Sequence, residues 1–428
     1  MYDVTEKAVF DNSTESYEYN IYYPSLGSDL NGFSDLRIHV QGRDYFYHPS
    51  NAYLTIKGQL LQHTGTEFTG TEEIALINNA PLFLFSKMTY RVGGRDIEII
   101  ENVGQTSSMC LHLQNTSNVA KCSGLSACWF PDTSAKAEEA GNIGFGARKK
   151  LLFTDITTKG KFCFRIPLKS VFGFCSDFDK LIFNYDHELV MLRQNDCYAL
   201  YKKTEETPIP NGKIDIKSIT LHMPIVTPTI STRMKLLEVV KNKIPLSIHF
   251  RERRGQAIDI TSGLLNFDWQ FSCIGLPNRP KFLLVGLQKT TATTQLVNYG
   301  LFTNGNVSQM SVSVNSKKFR LHENTPANFG ENDFTEFYRS YIETRENLCG
   351  IDARVNESHM SPSAFKSLFT IYCFDLSKHR EEITQQTVTT VLHINFKEAT
   401  TQNIRCFVTS LSDKEIILQS DGKQIVTM

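Results

Sequence analysis

Apolar residues recur at every second position along much of this 428-residue chain, and no other feature restricts its fold as strongly. Leu36, Ile38 and Val40 are separated by Arg37 and His39, and Phe162, Phe164 and Ile166 by Cys163 and Arg165. The pattern returns at Leu54 and Ile56, at Ile219, Leu221 and Met223, at Met310, Val312 and Val314, and at Leu392, Ile394 and Phe396. Successive side chains on a strand point to opposite faces, so these segments predict strands with one face on a core. A content of 29 Phe and 16 Tyr suits such half-buried pleated surfaces. Residues 282–286 and 369–374 are nearly continuous apolar runs and predict strands covered on both faces.

Helical spacing is rarer. Residues 232–241 carry Met234, Leu237 and Val240 behind Ser231 or Thr232 as a cap. Residues 333–347 place Phe334, Phe337, Tyr338 and Tyr341 on one stripe behind Asn332 or Asp333. Many strands with few helices predict an all-β chain of sandwiches or barrels. One hydrophobic core stops growing near ~250–300 residues, so two domains are expected. The polar stretch KTEETPIPNGK (203–213), with two prolines and a closing Asn-Gly, is the natural break. The expected division is an N-terminal arm over 1–32, a first sandwich over 33–206, a linker over 207–213 and a second sandwich over 214–428. Residues 114–160 and 315–363 are long excursions of the kind that carry function.

The formal net charge is zero, with 45 basic and 45 acidic residues, which argues against strong nucleic-acid binding. Two short basic clusters, Arg148–Lys149–Lys150 and Arg251–Arg253–Arg254, are expected to be solvated faces. The first residues lack a charged segment followed by an apolar one, so no secretory signal is expected, and no apolar run reaches membrane-spanning length. Ten scattered cysteines suggest reduced thiols, and the sequons at Asn12, Asn115, Asn306 and Asn356 carry no meaning without secretion.

Catalytic signatures are missing. The eleven histidines never approach closer than His39 and His48, so the two-His strand motif of metal-binding cupins is absent. There is no phosphate-binding P-loop and no Gly-x-Ser-x-Gly turn. Gly141, Gly144 and Gly146 have the wrong spacing for a dinucleotide fingerprint and predict a flexible loop. Cys122 and Cys128 lack a second pair for a zinc site and read as loop thiols. Glu252 and Arg253 predict an exposed ion-pair cluster at a strand end, and His187, His222 and His393 predict surface or interface side chains. No catalytic residue, cofactor site or metal site is therefore assigned, and no enzyme is expected.

A series of blocks resembles the double jelly-roll major capsid proteins of Polinton-like elements, adintoviruses and virophages, distant kin of the adenovirus hexon. In order they are IDIKSITLHMPIVTPTISTRMKLLEVV (214–240), RPKFLLVGLQ (279–288), YGLFTNGNVSQMSVSVNSKKF (299–319), FTEFYRSYIETREN (334–347) and FTIYCFDLS (369–377), followed by the closing strands of 387–428. The first of these looks like the opening strand of the second jelly roll followed by a short helix. In the first half, LRIHVQGRDYFYHPSNAYLTIKGQL (36–60) and IPLKSVFGFCSDFDKLIFNYDHELVMLRQ (166–194) are similar to paired opening strands and a closing block. The resemblance implies two tandem eight-stranded jelly rolls with a few short helices in long loops. It further implies a homotrimeric capsomer of pseudo-hexagonal outline in a virion shell, with a separate penton protein at the vertices. The chain is short for that family, so small surface towers are expected, and membrane contact is left open. A carbohydrate-binding jelly roll, or a host protein descended from a capsid gene, would share this layout.

Overall fold

In the computed structural model the alternating segments pair into sheets. The structure describes residues 13–42, 44–154, 157–204, 208–242, 244–272, 280–290, 293–315, 317–321, 326–352, 358, 360–377, 389–418 and 425–427. Residues 1–12 of the expected arm, residues 205–207 of the break and the sequons' Asn356 lie outside them.

The first half contributes strands β1 (Thr14–Tyr22), β2 (Asp35–Val40), β3 (Phe46–Tyr47), β4 (Tyr53–Gln62), β5 (Ile74–Leu76), β6 (Phe85–Val92), β7 (Arg95–Glu101), β8 (Lys161–Pro167), β9 (Ile182–Phe183), β10 (His187–Arg193), β11 (Leu200–Lys202) and β12 (Gly212–Pro228). Its helices are α1 (Ala80–Phe83), α2 (Val103–Gln114), α3 (Ile143–Leu152) and α4 (Gly173–Asp177). After α5 (Ile230–Lys241) come β13 (Leu246–Ile260), β14 (Asn266–Ser272), β15 (Phe282–Lys289), β16 (Val307–Val314), β17 (Lys317–Arg320), α6 (Thr335–Cys349), α7 (Pro362–Ser367), β18 (Ile371–Asp375), β19 (Thr389–Phe396), β20 (Ile404–Leu418) and β21 (Ile425–Thr427).

Two sandwiches result. In the first, a sheet ordered β8-β4-β12-β3-β9, with β1 added along β12, faces a sheet ordered β2-β10-β6-β7. In the second, β13-β20-β15-β18, with β21 added on β20, faces β14-β19-β16-β17. The alternation holds residue by residue: Leu36, Ile38, Val40, Phe164, Ile219, Leu221, Val312 and Ile394 are all buried, as a sheet with one wet face requires. β15 and β18 are buried on both faces: α6 lies over β18, where Phe337 meets Tyr372 edge-on at 5.0 Å, and Phe302 and Met109 of α2 lie against β15 at Gly286.

Several expectations fail for physical reasons. The strand from Ile214 was expected to open the second sandwich, but it pairs with β4 from Gly212 to His222 and so completes the first. Its neighbours on β4 supply the complementary alternation, which a boundary drawn from prolines cannot register. The helix expected over 333–347 runs from Thr335 to Cys349, and neither Asn332 nor Asp333 caps it. Of the glycine run at 141–146, Gly141 lies in a turn, while Gly144 and Gly146 belong to α3, whose Asn142 cap side chain accepts from the Phe145 N–H at 3.2 Å. Helix α2 also escapes the sequence reading: Val103 through Leu113 are all buried, so it has no polar stripe to reveal a helical period.

The first basic cluster is likewise not a solvated face. Arg148 is completely buried, pairs with Asp132 at 2.5 Å and donates to the carbonyls of Leu76 and Phe130. Asp132 also accepts from the Asn298 side chain at 3.1 Å, which ties the second half onto this pair. Lys149 reaches Glu73 and Glu139, and only Lys150 is exposed. Removing one partner of a buried ion pair leaves an uncompensated charge, at a cost of ~3–5 kcal/mol. Arg148→Met is therefore expected to lower the unfolding midpoint sharply, whereas Lys150→Met leaves it nearly unchanged. Thermal melts of the two variants side by side check this, and equal midpoints would refute it.

Candidate functional site at the sandwich junction

A group of buried charged residues, Glu98, Glu252, Arg253 and Arg345, lies where the two sandwiches meet. The last carbonyls of an α-helix have no partner within it. Those of α2 are met by α6 of the other half: the Tyr341 hydroxyl donates to the His112 carbonyl at 2.9 Å and Arg345 Nε to the Leu113 carbonyl at 3.0 Å. Arg345 is wholly buried, and a cation at a helix C-terminus is favoured by the aligned peptide dipoles. Met109, Cys110 and Leu113 of α2 thereby belong to the second core. In return, Ile248 and Phe250 of β13 and Ile416 and Leu418 of β20 pack into the first core.

Glu98 on β7 stands at the centre. It accepts backbone N–H groups from Gly173 (3.1 Å), Phe174 (2.9 Å) and Arg253 (2.8 Å), joining β7, α4 and β13 at one carboxylate. Next to it Glu252 pairs with Lys414 at 2.7 Å and Arg254 at 3.0 Å, and Arg253 donates to the carbonyls of Ser170 and Val171. Glu252 and Arg253, expected at an exposed strand end, are thus buried in mid-strand, because β13 is covered on both faces where it crosses the first sandwich. Contact at the crossing is close enough to exclude side chains. A Cβ on Gly173 would lie 1.9 Å from the Arg251 carbonyl oxygen, and one on Gly255 would lie 2.1 Å from Thr106 Oγ1.

Burial pushes the Glu98 carboxyl up to about 7, against the pull of its backbone donors and Arg253. His187, expected at the surface, is buried on β10 beside the Tyr90 hydroxyl at 2.9 Å, and burial holds it down to about 3. His222 and His393 are half-exposed: His222 stacks on Tyr53 at 4.5 Å and His393 contacts Asp268 at 2.6 Å. Cys122 is exposed and Cys128 buried, and neither is in a disulfide.

These groups are ill-placed for chemistry. The nearby cleft, about 240 Å³, is lined by Gln114, Asp177, Arg251, Arg253 and Cys349 among others, and Glu98 does not open onto it. Burial raises the Cys349 thiol to about 11, so it stays protonated and a poor nucleophile. Among the described residues no group of three or more His, Cys, Asp or Glu is arranged to hold a metal. What the arrangement does is join two sandwiches. No sequence signal marked it, since Glu98, Arg253 and Arg345 look like ordinary surface residues until partners from distant segments cover them.

Two outcomes follow. Gly255→Ala must push β13 away from α2, and overpacking of this kind costs ~1–3 kcal/mol. A lowered unfolding midpoint is expected, and an unchanged one would count against the close crossing. The second concerns pH. Glu98, raised from 4.5 to about 7 in the folded chain, contributes stability that is present below pH 4.5 and lost as pH rises to 7. His187, lowered from 6.5 to about 3, contributes stability present above pH 6.5 and lost as pH falls towards 3. Between pH 4.5 and 6.5 the two slopes oppose each other, each up to ~1.4 kcal/mol per pH unit. His187→Gln should leave stability falling with pH in that window, and Glu98→Gln should leave it rising. Denaturation midpoints across pH read the two signs, and equal slopes in the two variants would contradict the assignment.

Comparison with known proteins agrees with this geometry. No curated protein matches the sequence. A family model described as a double jelly roll-like domain matches residues 74–416. Among solved structures, a chain in the cryo-EM structure of the Sputnik virophage superposes with a TM-score of 0.62 at 10% identity, covering 99% of this chain and 90% of that one. The mavirus major capsid protein gives 0.60 at 11% identity, covering 100% and 93%, and the Faustovirus major capsid protein 0.56 at 11%, covering 97% and 92%. At such identities the likeness establishes the fold, while the family match extends over most of the chain, interlocked junction included. The chain belongs to the double jelly roll-like domain family.

Proposed function

We infer that the chain is a capsid protein, a structural subunit of a virion shell and not an enzyme. The observation that carries this reading is the end-to-end match with the mavirus major capsid protein, 100% of this chain against 93% of that one. Three copies of a two-sandwich subunit present six similar lobes, which gives a pseudo-hexagonal capsomer able to tile flat facets. Five-fold vertices then need a separate penton protein. Closed three-fold symmetry saturates the contacts between copies, and an obligate interface of this kind would bury more than ~2,000 Å². The absence of net charge lets like subunits approach without strong mutual repulsion.

The working division places the first jelly roll through Pro228 and the second from Leu246, with α5 between them. The proposed arm over 1–32 lies under or between subunits, and its strand β1 is held along β12 of the same chain. No direct role at nucleic acid is assigned, because Arg148, Arg253 and Arg345 are spent on buried contacts within the chain.

Light scattering on the purified chain as it elutes from a sizing column tests the reading. A mass near three times 48.6 kDa, or megadalton particles, is the expected result. A monomer at all concentrations would overturn it and point to a ligand-binding jelly roll instead.

A further inference from the structure

At one end of the first sandwich lies an open cleft of about 610 Å³, within the ~300–1,000 Å³ usual for small-molecule sites. Four separate segments enclose it: the approach to β2 with Asn31 and Phe33, the turn after β4 with His63, the end of β10 with the turn that follows it, and the start of β12. Gln295 of the second half completes the wall, its amide bonded both ways to the backbone of Gly212.

The acceptors of this lining are largely committed. Asp196 accepts from Arg193 Nη2 and from the Ile214 N–H at 2.8 Å, and Asp215 accepts from Lys217 Nζ and from Asn31 Nδ2 at 3.1 Å. Gln194 Oε1 accepts the Asn195 N–H, Asn195 Oδ1 the Cys197 N–H, and Asn211 Oδ1 the Lys202 ammonium. These bonds fix the three amides and leave each NH2 group without a partner among the described residues. The Lys213 ammonium and the His63 ring are likewise unpartnered among them. Arg193, only 4% exposed at the base of the cleft, has an Nε without a partner. What is left unsatisfied around the wall is therefore mostly donor, with an uncompensated positive charge at Lys213.

Such a lining calls for a ligand with a negative charge and acceptor oxygens spread over its whole length. A compact inorganic anion reaches too few of the four segments and leaves Phe33 idle. That ring is 70% exposed, and its negative face suits the polarised C–H face of a sugar. Sugar hydroxyls also donate, and Asp196 and Asp215 retain lone pairs for them, since a carboxylate offers about four acceptor positions.

We propose that this cleft binds a sugar carrying a carboxylate. Lys213 meets the carboxylate, the amides of Gln194, Asn195 and Asn211 meet its hydroxyl and ring oxygens, and Phe33 covers its C–H face. The proposal does not rest on the capsid reading, because a monomer and an assembled chain present the same cleft.

The test is saturation-transfer NMR on the full chain, titrated with sialyllactose, a hyaluronan tetrasaccharide, lactose, AMP and inorganic phosphate. At least one of the two acidic sugars should bind, with lactose roughly tenfold or more weaker, the scale of one charge-assisted contact. Binding of sialyllactose alone identifies a terminal acidic sugar as the ligand, and binding of hyaluronan alone an internal uronic acid. Lys213→Gln should lose the preference for acidic over neutral sugar. Phe33→Ala should weaken the acidic sugar several-fold and keep that preference. Both side chains are at the surface, so unchanged thermal midpoints verify folding. No binding of either acidic sugar, equal binding of lactose, or an unchanged preference in Lys213→Gln would overturn the proposal. AMP binding as tightly as the acidic sugar would overturn it in favour of a nucleotide site. Displacement of the sugar by an equal concentration of phosphate would reduce the cleft to a simple anion site and overturn it too. Oligomer mass by light scattering stays a separate reading, so either result leaves the capsid question to its own experiment.

Discussion

The ladder between β13 and β20 runs without a bulge from Leu246–Leu418 to Ile260–Ile404, and both hydrophobic cores depend on it. Its inner part forms the second sandwich with β15, while its outer part carries Ile248, Phe250, Ile416 and Leu418 into the first core. Helix α2 makes the reciprocal insertion. Each half therefore completes the other's core, and separating them would expose apolar surface on both sides and strand the Glu98 carboxylate. Such an interface resembles a domain core more than the polar contacts that usually join domains.

Polar chemistry inside this junction follows from the same crossing. Long strands that pass between sandwiches are covered on both faces, so their alternate polar residues must be buried too. Glu252 and Arg253 meet that constraint by pairing, and Arg345 by capping a helix end. Buried charges that lack partners are expensive, which explains why each finds several. The outcome is a two-lobed block whose halves share their buried polar contacts.

Much of the fold was legible in the chain. Alternation at Leu36–Val40, Phe162–Ile166, Met310–Val314 and Leu392–Phe396 placed strands where they occur, and the continuous runs at 282–286 and 369–374 became doubly covered strands. The ordered blocks also pointed to the double jelly roll. The junction was not legible. Periodicity reports how one element meets a generic core, and α2, buried all round, has no period to report. Nor does a charged residue announce its burial: Arg148 and Lys150 look alike in sequence, but only Arg148 has Asp132 behind it.

By itself, then, the sequence determined the elements and the class of architecture, because side-chain alternation is a local property that each strand carries with it. Tertiary structure alone decided which sandwich owns the strand from Gly212 to Pro228, which charges are buried, and which apolar residues are left outside. Those outcomes depend on partners tens to hundreds of residues away, such as Glu98 with Arg253 or Leu113 with Arg345. No local pattern encodes a partner that distant; only the folded chain brings the two together.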